Sequence, residues 1–104
     1  SEPFLFVSGQ IGLLPGTGEM AGSDFDTQAK QSLENVKQIL EAGGCRLDDV
    51  IAVDVFLIDM DMFTRFNTIY ESFFSGHRPA RAVVAVAGLP KGALVEIKCI
   101  AKSV

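Results

Sequence analysis

Val50-Ile51-Ala52-Val53-Asp54-Val55-Phe56-Leu57-Ile58 is the stretch whose reading decides the fold. Side chains alternate across a strand, so Ile51, Val53, Val55 and Leu57 share one face, while Ala52, Phe56 and Ile58 share the other with Asp54. Both faces are expected to be buried. Upstream, Phe4 to Ile11 reads as a strand rich in aromatic and β-branched residues, closed by Gly12 and the Pro15-Gly16-Thr17-Gly18 turn cluster. Between the two strands, Ser23 or Asp24 can cap a helix whose Phe25, Ala29, Leu33, Val36 and Leu40 recur at steps of four and three. That stripe stops at Gly43-Gly44, and Lys30, Glu34, Lys37 and Glu41 fall on its wetter side. Downstream, Asp59 or Asp61 can cap a second helix with Met62, Phe66, Ile69, Tyr70 and Phe73 on one side, ending near Gly76. Two strands follow, Ala82 to Ala87 and Leu94 to Ala101, joined by the turn signal Gly88-Leu89-Pro90-Lys91-Gly92.

The order β, α, β, α, β, β predicts an α+β domain in which two helices cover one face of a sheet and cannot cover both. A strand that is apolar on each side then leaves a face that needs a partner, and a homo-oligomer is expected. The 104 residues and 11.2 kDa give one domain with one modest core. A hydrophobic fraction of 48% and a mean hydropathy of +0.30 are high for that size, yet no apolar run approaches the ~20 residues that span a bilayer. No membrane partner is expected. Nine basic residues against thirteen acidic ones give a net charge of -4, so no overall field draws the chain to phosphate backbones, and nucleic acid is not an expected partner. Cys45 and Cys99 lack metal-ligand spacing, and with His77 as the lone histidine neither a metal nor another cofactor is expected. Two reduced thiols fit a cytoplasmic compartment, with a targeting segment left open because the sequence begins at Ser1 without a methionine.

The segment Arg78-Pro79-Ala80-Arg81-Ala82-Val83-Val84-Ala85-Val86 sets an arginine at the mouth of an apolar strand. Pro79 suits the first residue of a strand, which brings Arg81 to the strand's opening beside a loop. A guanidinium there either makes a weak surface salt bridge or grips a small carboxylate or phosphate through its planar fork. On the last strand, Leu94, Glu96, Lys98 and Ile100 project to one side and Val95, Ile97, Cys99 and Ala101 to the other. Glu96 is either an edge carboxylate paired with Lys98 or solvent, or, if it faces the cleft of Arg81, a group that handles water beside a carboxylate anchor.

Seven segments occur in a telling order: Phe6-Val7-Ser8-Gly9-Gln10-Ile11, Gly16-Thr17-Gly18-Glu19, Gln28-Ala29-Lys30-Gln31-Ser32-Leu33-Glu34-Asn35-Val36, Phe66-Asn67-Thr68-Ile69-Tyr70-Glu71-Ser72-Phe73-Phe74, Pro79-Ala80-Arg81, Leu89-Pro90-Lys91 and Val95-Glu96-Ile97. Together they resemble the RidA family, also called YjgF/YER057c/UK114, over nearly the whole chain. The resemblance implies a chorismate-mutase-like (YjgF-like) fold with one mixed sheet, a homotrimer, and sites between subunits. It implies hydrolysis of small 2-imino acids such as 2-iminopropanoate and 2-iminobutanoate to 2-keto acids and ammonia, without metal or covalent intermediate. Arg81 would hold the substrate carboxylate and Glu96 the attacking water. Asn67, otherwise a helix-surface amide, would support the pocket, as would Ser8 and Gly9, the latter allowing close approach of a ligand or strand. Typical members carry an N-terminal segment with a site tyrosine, after which this sequence starts. Many carry a cysteine where Val83 stands, whose backbone carbonyl could still accept from the imine nitrogen. Tyr70 and Phe74 are expected to be structural, and His77 and Arg78 to rim the cleft. Arg78, where an aromatic often precedes the proline, is expected to lean preference towards a more acidic or longer ligand. The reading of a different class is a non-catalytic trimeric module that captures small carboxylates as a sensor or regulator. A ribonuclease, an activity attached to some relatives, is disfavoured by the charge balance.

Overall fold

The structure, a computed structural model, describes residues 3–103. Four strands and two helices follow the expected order: β1 (Phe4–Gln10), α1 (Phe25–Ala42), β2 (Val50–Leu57), α2 (Phe63–Phe73), β3 (Ala80–Ala85) and β4 (Val95–Lys102). The strands form one mixed sheet in the order β1-β4-β2-β3, antiparallel except for the parallel pair β2 and β3. The parallel pair brackets α2, as a parallel connection needs a crossover element.

Of the two candidate caps of α1, Asp24 is the one used: its carboxylate accepts from Thr27 N at 3.0 Å and Thr27 Oγ1 at 2.9 Å. The helix stops where Gly44 turns into the left-handed region (φ +84) and Cys45 N donates back to Leu40 O at 2.8 Å. Asp59 caps a short 3₁₀ turn, Met60–Met62, which leads into α2. The expected stripe of α1 is buried throughout, and it meets Phe66, Ile69, Tyr70 and Phe74 from α2 over Val53, Val55 and Leu57 of β2 and Val95, Ile97, Cys99 and Ala101 of β4. Both helices therefore cover the same face of the sheet.

A second, polar stripe on α1 was not anticipated. Gln28, Ser32 and Asn35 are buried and bind the chain on either side: Ser32 Oγ donates to Gln10 O at 2.6 Å, Asn35 Nδ2 to Leu13 O at 2.8 Å, Gln28 Nε2 to Gly22 O at 2.9 Å, and Leu94 N donates to Gln28 Oε1 at 2.9 Å. These bonds satisfy backbone groups at strand ends and in the connecting loops.

Two expectations for β2 need correction. Ile51 is 43% exposed, and Val50, at 0%, takes the core position instead. The pairing with β4 is irregular between Val50 and Ala52, and an extra residue at such a bulge reverses which parity faces inward. The second face of β2 is also not buried within one chain: Ala52, Asp54 and Phe56 lie on the open side, with Glu96, Lys98 and Ile100 beside them on β4. Phe6, 71% exposed, and Val84, 44% exposed, extend that open side towards both edges. No helix among the described residues is long and apolar enough to cross a membrane.

Candidate active site

Arg81 is the second residue of β3, opposite Val53 across the parallel pair, and Val53 in turn lies opposite Cys99 on β4. Both partners are core residues, so this row points to the helix-covered side. At the edge strand that side opens beside α2, and Arg81 comes to rest there with its guanidinium carbon 4.7 Å from the centroid of the Tyr70 ring and 5.8 Å from that of Phe63. An aromatic face attracts a guanidinium without consuming its hydrogen-bond donors. The salt-bridge reading of Arg81 is not realised: among the described residues the one ion pair joins Arg65 Nε to Asp26 Oδ1 at 2.7 Å.

The guanidinium opens onto a cavity of about 340 Å³ between α2, the following loop and the start of β3. Asn67 and Tyr70, one turn apart on α2, form one wall, with Glu71 beside them; His77, Arg78 and Pro79 form the other. His77 Nε2 donates to Val50 O at 2.6 Å, which ties the loop to the start of β2. Two polar atoms in this wall have no partner among the described residues: Asn67 Oδ1 and Tyr70 Oη. A buried unpaired polar atom is costly, so such atoms concentrate where a ligand completes the bonding. Tyr70 is 7% exposed, stacks on Phe74 at 4.6 Å between centroids, and burial pushes its phenol above the usual range while the neighbouring Arg81 charge pulls it down. It was expected to be structural, and it is part of the core. It is also the seat of Arg81, a second role set by the approach of β3 to α2 and not legible along the chain.

Glu96 does not join this cavity within one chain. It lies opposite Phe56, which lies opposite Val84, a row on the open side of the sheet and three residues along the strand from the row of Arg81. Three residues of strand are ~10 Å, and the sheet itself stands between the two side chains. Glu96 has Gly9 as its neighbour: a Cβ on Gly9 would lie 2.4 Å from Glu96 Oε2. What the missing side chain admits at Gly9 is this carboxylate, where β1 breaks register between Val7 and Gln10. Glu96 likewise has no ion pair with Lys98 among the described residues. Ser8 lies near it, lining a separate open-face cavity with Asp54 and Lys98. Val83 follows Arg81 on the covered side and packs against the core.

The six expected site residues thus divide into two groups. Arg81, Asn67 and Val83 lie on the helix-covered side, and Ser8, Gly9 and Glu96 on or beside the open side. Among the described residues no cluster of three or more His, Cys, Asp or Glu side chains is placed to hold a metal ion. The first group offers a cation, an amide and aromatic walls, a set suited to a small carboxylate. The second offers a carboxylate beside a strand with no side chain at its closest point.

The profile of the Endoribonuclease L-PSP family matches residues 1–103. A RutC family protein of Pyrococcus horikoshii is 49% identical over 98 residues, 94% of this chain and 78% of the relative. A mouse protein named 2-iminobutanoate/2-iminopropanoate deaminase is 43% identical over 97 residues, 93% of this chain and 72% of the relative. The crystal structure of the YjgF gene product from E. coli superposes with a TM-score of 0.91 at 43% identity, covering 97% of this chain and 81% of that one. With the motif order, the mixed sheet and its two helices in agreement with these matches, the chain belongs to the RidA/YjgF family, described as Endoribonuclease L-PSP.

Proposed function

We propose that this protein hydrolyses small 2-imino acids to 2-keto acids and ammonia at sites built between copies of the chain, in a homotrimer of the chorismate-mutase-like kind. The observation that carries the reading is the division of the site residues: a guanidinium seated on Tyr70 in a cavity on one side of the sheet, and a carboxylate against Gly9 on the other, neither of them in an ion pair among the described residues. One copy supplies the cavity of Arg81 and Asn67, and a neighbour supplies Ser8, Gly9 and Glu96 from the open face it docks with. The apolar side chains exposed there, Phe6 and Val84 among them, favour burial against a second copy. The name of the mouse relative supports the same chemistry.

In this reading Arg81 takes the substrate carboxylate by a two-point contact, and Asn67 Oδ1 accepts from the imine nitrogen. Glu96 accepts a proton from water as its oxygen bonds to the imine carbon and the C=N electron pair moves to nitrogen. Glu96 returns that proton to the nitrogen, giving the neutral carbinolamine, then takes the carbinolamine's hydroxyl proton and passes it to the nitrogen as the C–N bond breaks, so that the 2-keto acid forms, ammonia departs and the carboxylate is regenerated. Positioning and one proton relay supply ~10²-fold, enough for a reaction that is already quick in water. The two free, buried thiols suit a reducing, cytoplasm-like compartment. The nuclease activity in the family's description is not adopted here, because an acidic chain with one histidine lacks the basic tract that RNA binding calls on.

The alternative, a carboxylate-binding module without turnover, keeps Arg81 and dispenses with Glu96. Generating 2-iminopropanoate in situ with an amino-acid oxidase and trapping the surviving imine separates the two. Deaminase chemistry requires that Arg81→Ala and Glu96→Gln each remove the acceleration. It also requires that co-refolding equal amounts of these two inactive proteins restore about a quarter of the sites, since a site drawing on two copies of a closed ring then finds both groups intact. No recovery on mixing sinks the shared site. No acceleration by the wild type, with 2-oxobutanoate affinity that Arg81→Ala removes, favours the binding module.

A further inference from the structure

The cavity of Arg81 holds a second guanidinium that the imine chemistry leaves idle. Arg78 lines the same cavity from the opposite wall, three residues before Arg81, with Pro79 between them. Pro79 has a fixed φ and restricts Arg78 to extended backbone, while His77, immediately before, is tied to Val50 O at 2.6 Å. The backbone at Arg78 is thus held from both sides. Its charge is unanswered: among the described residues neither Arg78, Arg81 nor Glu71 takes part in an ion pair. With two guanidiniums against one carboxylate, the lining carries a net positive charge in a chain whose net charge is -4.

We infer that Arg78 forms a second anion subsite, and that the cavity prefers 2-imino and 2-keto acids carrying a distal carboxylate over those with an apolar tail. This rests on the reading of Arg81 as the anchor for the first carboxylate. Arg78 and Arg81 line one cavity of about 340 Å³, and side chains of that length can reach the two ends of a short dicarboxylate held within it. A substrate tail without charge leaves the Arg78 guanidinium facing water; a tail with a carboxylate gives it a forked partner. Glu71, on the α2 wall, opposes the second charge and sets a limit on the gain.

The test compares 2-oxoglutarate with 2-oxopentanoate, which has a methyl group where the former has its distal carboxylate, by titration calorimetry on the assembled protein. The wild type is expected to bind 2-oxoglutarate about tenfold more tightly, the size of a charge-assisted contact at a partly exposed site. R78Q is expected to erase that difference by weakening 2-oxoglutarate alone, E71Q to enlarge it, and R81K to weaken both acids. Equal affinities in the wild type, or an equal loss of both acids in R78Q, overturn the inference and leave the anchor standing. Binding of both acids that survives R81Q overturns the anchor, and with it this subsite; so does failure of both acids to bind.

Discussion

The two faces of the sheet are written in the same alternating code and put to different uses. The covered face is filled by Val53, Val55, Leu57, Val95, Ile97, Cys99 and Ala101 under two helices, and only at its edge, at Arg81, does a charge enter. The open face carries Asp54, Glu96 and Lys98 among Phe6, Phe56, Val84 and Ile100, and none of the described elements covers it. Burial is therefore intramolecular on one side, and in the proposed assembly it falls to another copy on the other. The candidate chemistry divides along the same line, with the anchor on the first face and the water-handling carboxylate on the second.

The largest contrast lies between two phenylalanines. Phe66→Ala, at a fully buried position under the covered face, is expected to cost about 3–5 kcal/mol in urea denaturation of the chain. Phe6→Ser, 71% exposed in one chain, is expected to leave the fold intact by circular dichroism and to lower the mass seen in sedimentation. A chain that unfolds on Phe6→Ser, or an assembly that ignores it, breaks the distinction between the faces.

Cys99 sharpens it through pH. Burial, and secondarily the nearby Cys45 thiol, push its pKa from 9.0 up to about 11. The folded state therefore keeps a proton that the unfolded state releases, so this stabilisation is complete below pH 9 and is lost as pH rises through about 11. The loss amounts to about 2 kcal/mol across that window. Cys99→Ala is expected to flatten the alkaline limb of a stability-versus-pH curve, whatever its effect at pH 7. An unchanged slope would show that the thiol titrates in the open.

The smallest effect concerns the seat of the anchor. Tyr70→Phe keeps the ring beneath Arg81 and removes an unpaired hydroxyl, so stability is expected to hold or rise by up to about 1 kcal/mol. Tyr70→Leu removes the aromatic face and is expected to weaken 2-keto acid binding by about 0.5–1 kcal/mol. Equal weakening by both substitutions would make the hydroxyl a ligand contact in its own right.

Much of this was legible in the sequence because it depends on neighbours along the chain. The α1 stripe from Phe25 to Leu40, the stops at Gly43-Gly44, and the inward set Val95, Ile97, Cys99 and Ala101 all follow from period and capping. Ile51 was misplaced because one bulge opposite β4 reverses the parity before it, and a bulge belongs to a pair of strands. The buried trio Gln28, Ser32 and Asn35 escaped notice because their partners, such as Leu13 O and Leu94 N, are backbone groups brought in from distant segments.

The sequence alone determined which elements form, where α1 stops, and that Arg81 and Glu96 stand out from apolar strands; local sterics, capping and hydrophobic period settle those. Tertiary structure alone decided that the two residues occupy opposite faces and that Tyr70 carries Arg81, whereas the place of Arg78 at the rim of that cavity was already expected. Alternation fixes faces within a strand, whereas the relation between strands depends on order, direction and register, which are set when the sheet closes over its helices.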